Sequence, residues 1–258
     1  MLRTSLRTSN PVLKSKSFGG FAAQAEAPAP TSGVREDAMT ISGTVNKTAI
    51  LLALVVVAGL WPWKLMEVDP AAALSWLWIG LIGGSVTALI IIFKNDWAGP
   101  LAPLYAACEG LSLGAVSAFM ERRYPGIVFQ AVALTLGTLA TMLFIYRTGA
   151  IKATDGFKRG VIAATGAICL VYIVTMVLRA FGMPVSFMHS SGLLGIGISM
   201  VVVVIAALNL VLDFDLVAKG AKNGAPKYME WYAAFGLLVT LVWLYLEILR
   251  LLSKLSRR

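Results

Sequence analysis

The sequence predicts an all-α, polytopic membrane protein, a bundle of seven transmembrane helices behind a disordered N-terminal tail. Three observations carry that prediction. Of 258 residues, 58% are hydrophobic and only 14% are charged, against roughly 25% charged in an ordinary soluble domain. The mean hydropathy is +0.80. Apolar runs of about 20 residues, the length that crosses roughly 30 Å of hydrocarbon as a helix, alternate with short polar breaks. Each run reads as helix, because an unpaired strand in lipid leaves its backbone groups unsatisfied. Thirteen acids and 22 basic residues are too few to coat a soluble core of this size. Soluble enzyme, secreted disulfide scaffold and disordered chain are excluded.

Taken in order, residues 1–47 are rich in Ser, Thr, Ala, Pro and Gly without an apolar period, and are expected to form a disordered cytoplasmic tail. Arg3, Arg7, Lys14 and Lys16 precede no uninterrupted apolar core, so a cleaved signal peptide is not expected. The transmembrane domain then covers 48–255, with spans at 48–63, 74–93, 101–120, 127–146, 160–181, 192–217 and 231–252. The breaks carry turn chemistry: Asp69-Pro70, Gly99-Pro100, Tyr124-Pro125-Gly126, Thr154-Asp155-Gly156, Gly182-Met183-Pro184 and Asn223-Gly224-Ala225-Pro226. Trp61, Trp63, Trp76, Trp78 and Trp97 cluster near span ends as interfacial anchors.

Small residues recur at helical spacing in three spans: Ala106, Gly110, Gly114 and Ala118 in the third, Gly160, Ala163, Ala164 and Ala167 in the fifth, Gly192, Gly195 and Ser199 in the sixth. Such ridges let neighbouring backbones approach closely, and they imply packing rather than function. Placing the N-terminus inside puts six basic residues in the tail, one after the second helix, four after the fourth and three after the sixth on the cytoplasmic side, leaving eight opposite. The charge rule therefore favours a cytoplasmic N-terminus, although Arg250, Lys254, Arg257 and Arg258 pull the other end the same way. The net charge of +9 is read as this topology signal and not as nucleic-acid binding. Cys108 and Cys169 lie inside apolar runs and read as small buried hydrophobes, and the single His189 offers no metal cage. Ser190 and Ser191 follow His189 but make no triad without a third group. Catalysis and a bound cofactor are not expected.

Function is sought among ionisable groups at membrane depth, each of which is costly to insert. Glu109, near the middle of the third span, must face protein or water or carry a proton. Asn209 and Asp213 share a face of the sixth helix at i,i+4, whereas Asp215 lies about 200° round from Asp213 and is four residues before Lys219, an ion-pair spacing. Glu247, well along the seventh helix, has Arg250 at i+3, and Glu230 stands in that helix's first turn, where an acid suits the helix dipole. Ranked by depth, Asp213 is expected to be inner, Glu109 central and Glu247 outer. Such a series of carboxylates, if it lined one lumen, would suit a cation or proton, and Ca²⁺ takes carboxylate and carbonyl oxygen.

The seven spans, the Tyr124-Pro125-Gly126-Ile127-Val128 start of the fourth helix, the Leu212-Asp213-Phe214-Asp215-Leu216-Val217 end of the sixth and the final Leu244-Tyr245-Leu246-Glu247-Ile248-Leu249 resemble the Bax inhibitor-1 family, in its bacterial branch. The likeness covers about 47–255. It implies a pH-sensitive calcium leak in which acids of the last two helices share a proton, and by motif Asp213 and Glu247 match that pair. Two departures stand out. The chain between them is longer than the family pattern, placing them at different depths, and the second helix lacks the Arg that answers the pair in the family. The reading is therefore a pH-regulated cation leak, with Asp213 and Glu247 as proton-sensing acids, Glu109 and Asn209 on the pathway, Asp215 and Glu230 as further candidates, and Ca²⁺ or H⁺ as the permeant or regulatory ion. The alternatives are a non-conducting regulator of a membrane protease or stress response, docking another membrane protein through its tail, and a proton-coupled transporter.

Overall fold

The computed structural model describes residues 38–182 and 192–257. The predicted tail up to residue 37, the Met183-Pro184 break and His189 with Ser190 and Ser191 lie outside the described residues. Those described form seven helices long and apolar enough to cross a membrane: α1 (Ile41–Val68), α2 (Pro70–Phe93), α3 (Ala98–Arg123), α4 (Ile127–Arg147), α5 (Asp155–Ala180), α6 (Leu193–Lys222) and α7 (Met229–Leu255), with a single 3₁₀ turn (Asn95–Trp97) before α3.

The helix ends follow from their sequences. Thr40 caps α1 by accepting from the Gly43 amide at 3.0 Å, so the helix begins inside what the sequence assigns to the tail. Residues 41–47 look like tail because they are polar; they are helical because a cap and an ion pair hold them. Asp69 accepts from the amides of Ala71 and Ala72, both at 3.0 Å, with Pro70 in the first turn of α2, where its missing N–H costs nothing. The α3–α4 turn is closed from a distance: Glu121 accepts from the Gly126 amide at 2.5 Å and the Val128 amide at 3.0 Å. Gly126 has φ +83°, a left-handed conformation that Gly adopts without strain.

Central to the bundle is α7, which packs on α1, α3, α4 and α6. Two core clusters meet on its different faces. Leu237, Leu241, Leu244 and Ile248 join Ala206, Leu210 and Val217 of α6 and Ala131 of α4. Ala234, Phe235, Leu238 and Val242 join Leu51 of α1 and Tyr105, Ala106 and Leu113 of α3. In lipid there is little hydrophobic gain from bringing apolar helices together, so close van der Waals fit drives association. The small-residue ridge of α3 supplies that fit. A β-carbon on Gly110 would lie 2.8 Å from Ala58 Cβ, and one on Gly114 would lie 2.6 Å from Gly59 Cα. Gly80 of α2 is as close to α3, 2.7 Å from the Ser112 amide on the same construction.

Two of the other small-residue faces fare differently. On α6, Gly195 and Ser199 are buried, packed against α7. On α5, the expected interface is absent from the packing: Gly160 has nothing within 4 Å of its β-position, and Ala163 and Ala167 are exposed. Cys169, expected buried, is likewise exposed on α5. The reason is that this face of α5 is apolar, and lipid solvates it as well as a neighbouring helix would.

Candidate functional site

The position of each acid follows from helix register. The Thr240 hydroxyl of α7 lies close to Asp213 of α6, and Lys254 of α7 donates to Ser199 of α6 at 2.8 Å. These pairs are fourteen residues apart on both helices, so α6 and α7 run antiparallel in one register throughout. Glu247 stands midway, about 10 Å from each at 1.5 Å per residue. Thr240, Glu247 and Lys254 recur every seventh residue and form one polar stripe of α7, turned toward α5 and α6.

Asp213 sits at one end of the stripe. Its Oδ2 is enclosed by protein and has no hydrogen-bond partner among the described residues. Glu247, 1% exposed, accepts from the Tyr172 hydroxyl of α5 at 2.8 Å and from Arg250 Nη1 at 2.8 and 2.9 Å. Arg250 also donates to the Tyr172 hydroxyl at 2.6 Å. Asp213 and Glu247 thus share a seam but not a proton. Two turns of helix separate them, and Glu247 is held by Tyr172 and Arg250. The two acids are not in contact as the family resemblance implies, and it is Arg250, three residues on, that is paired with Glu247.

Glu109 is elsewhere. The Tyr105 and Phe235 rings pack edge-on at 4.9 Å, and Ser117 shares a hydrogen bond with the Tyr245 hydroxyl at 2.6 Å. This register sets Glu109 level with the turn of α7 that carries Leu238 and Thr240. Its depth therefore matches that of Asp213, against the expected inner, central and outer order. Its carboxylate lies beside Gly84 of α2, where Oε2 would be 3.2 Å from a β-carbon. Phe235 and Leu238, which face α3, are rotated more than 90° from the Thr240–Glu247–Lys254 stripe at 100° per residue. So the expectation of one lumen holding all three acids gives way to two acids on the α6–α7 seam and a third between α2 and α3. The residues lining the cavities described below include none of the three.

The remaining candidates have structural partners. Asn209 turns to α5, donating to the Thr165 hydroxyl at 2.8 Å. Asp215 is paired with Lys158 of α5 at 2.5 Å and Lys219 at 2.9 Å, which includes the pair its spacing suggests. Glu230, 1% exposed, is a clasp between the starts of α1 and α7. It accepts from the Thr40 amide and hydroxyl, both at 2.8 Å, and is ion-paired with Lys47 and with Lys227, the latter at 3.0 Å. Met39 adds a backbone bond to Ala225 at 2.7 Å.

Sequence reasoning missed Thr40, Tyr172 and Lys254 as site-forming groups. Lys254, 4% exposed, also donates to the Gly195 carbonyl at 2.9 Å. Its seven-residue spacing from Glu247 was the available signal. Tyr172 had none, since nothing in a lone apolar run singles out the tyrosine that meets another helix.

Seven apolar helices with an acid-bearing polar seam around a central last helix define a multi-pass membrane protein with ionisable groups at membrane depth. The chain belongs to the Bax inhibitor-1-like family: the family model described as "Bax inhibitor 1 like" matches residues 10–257, nearly its whole length. Comparison with curated proteins and with solved structures gave no match.

Proposed function

We propose that this protein is a pH-sensitive cation leak, with Ca²⁺ as the permeant ion and H⁺ as the regulator, acting in an inner membrane with its N-terminus cytoplasmic. The observation that supports this reading best is Asp213 Oδ2, enclosed in the α6–α7 seam with no hydrogen-bond partner among the described residues. Leaving such an oxygen unmatched is costly, and either a proton or a cation can take the missing place. Ca²⁺ prefers oxygen ligands of this kind. Exchange of one for the other would bias the packing of α6 on α7, the local event from which a pH switch is built. Glu247, matched by Arg250 and Tyr172, is the second acid of this reading and lies two turns of helix away. Glu109, beside Gly84, belongs to a different interface, and any part it takes in conduction is independent of the seam.

The test is Ca²⁺ uptake into proteoliposomes on either side of neutral pH, with wild type and Glu247→Gln. The expected result is a pH-dependent flux whose dependence changes in the variant. Absence of flux from reconstituted, folded protein at both pH values overturns the proposal. A tail-docked regulator is separated from a leak by deleting residues 2–36, which should leave flux intact. The cut has to stop there, because Met39, Thr40 and Lys47 hold the α1–α7 clasp.

A further inference from the structure

At the end of the bundle where α5 and α7 finish, a cavity of about 230 Å³ opens between α5, α6 and α7. Three cations line it: Arg179 in the last turn of α5, and Arg250 and Lys254 of α7. Tyr172, Thr175 and Ser199 add hydroxyls. Glu247 is the acid that meets this group, and it is taken up by Arg250. Arg179 therefore adds a positive charge beyond the Arg250–Glu247 pair, in the last turn of α5.

Two apolar grooves run from the same place. One, of about 520 Å³, lies between α5 and α6 and is lined by Val171, Leu194, Gly197 and Val201. The other, of about 360 Å³, lies between α5 and α7 beside Ile168, Ile173 and Trp243. Tyr172 borders the basic cavity and both grooves, so the three spaces adjoin. A soluble anion would use the cations and leave the grooves empty. An apolar helix would fill a groove and leave the cations unanswered. A molecule with a phosphate head and two hydrocarbon chains matches both.

We propose that this is a binding site for one anionic phospholipid, its phosphate held by Arg179 and Arg250 and its acyl chains lying in the grooves on either side of Tyr172. Basic pockets between transmembrane helices are suited to such headgroups. The proposal does not depend on conduction.

The experiment is native mass spectrometry of the full chain in detergent, titrated with phosphatidylglycerol or phosphatidylcholine. Two variants accompany it. Arg179→Gln removes an exposed cation, and Gly197→Leu fills the larger groove from a position whose β-carbon would meet nothing within 4 Å. Both should keep the wild-type unfolding midpoint without added lipid. Wild type should retain one phosphatidylglycerol in preference to phosphatidylcholine. Arg179→Gln should weaken that binding about fivefold, as expected for one basic side chain near a lipid surface, and Gly197→Leu should also weaken it. Equal retention of the two lipids, with Arg179→Gln unchanged, overturns the proposal. So does displacement of phosphatidylglycerol by millimolar inorganic phosphate together with an unaffected Gly197→Leu, which would mark a soluble-anion site instead.

Discussion

The third and fifth spans make an instructive pair. Both carry small residues at helical spacing, yet 56% of the most apolar stretch of the third span is buried in the bundle, against 11% in α5. The more buried one is the less apolar, with hydropathy 1.2 against 2.5. In water the order would be reversed. In lipid, hydrocarbon is the solvent, so apolar surface gains little by leaving it, and what collects inside is what packs closely or needs a polar partner. α3 brings Gly110 and Gly114 to the backbone of α1 and Ser117 to Tyr245. α5 brings Tyr172 and Thr165 inward and leaves the rest to lipid.

This contrast can be broken most forcefully at the α1–α7 clasp. Glu230→Ala leaves Lys47 and the Thr40 amide and hydroxyl without their carboxylate, and a hydrogen bond to a charged group is worth about 1.5–3 kcal/mol. A large fall in the thermal unfolding midpoint in detergent is expected; an unchanged midpoint would mean the clasp is dispensable. Next in size is Gly114→Val, whose side chain meets the Gly59 backbone, a contact that cannot swing away. Overpacking of this kind costs about 1–3 kcal/mol. The matched change Gly166→Val on α5, where the β-position is open, should move the midpoint little. If both glycines tolerate Val equally, the asymmetry between the two helices is wrong.

Smaller again is Asp215→Asn. Its pairs with Lys158 and Lys219 are partly exposed, so the loss should stay below about 1 kcal/mol and shrink with added salt. Smallest is a titration at the α3–α4 turn. Arg257 Nε donates to the Tyr124 hydroxyl at 2.7 Å and holds that phenol below its ordinary value of 10.0. A depressed acid adds stability only as pH rises through its folded value, so nothing is gained at neutral pH. Arg257→Gln should move the Tyr124 titration, followed by tyrosine-selective NMR, back upward while leaving neutral-pH stability untouched.

Much of the fold was legible because hydrocarbon thickness imposes a length and turns impose their residues. Seven runs, the Asp69-Pro70 and Tyr124-Pro125-Gly126 breaks and the α3 ridge could all be read directly. The start of α1 was not, since the polar Ser42, Thr44, Asn46 and Lys47 mimic a tail until Glu230, 183 residues beyond Lys47, is seen to hold them. For the site, spacing was enough to pair Asp215 with Lys219 and Glu247 with Arg250. It could not say that Asn209 turns to α5 while Asp213, on the same face, turns to α7. Nor could it separate Glu109 from the seam, because facing is decided by which helices become neighbours, and a list of spans does not contain that.

On the proposed reading, the seam acid Asp213, and not the equally deep Glu109 on the far side of α7, carries the pH response. Ca²⁺ flux in matched proteoliposomes of Asp213→Asn and Glu109→Gln, each across a pH range, tests it most directly. Asp213→Asn should flatten the pH dependence while Glu109→Gln retains its shape. A flat profile in Glu109→Gln with a wild-type profile in Asp213→Asn would contradict it.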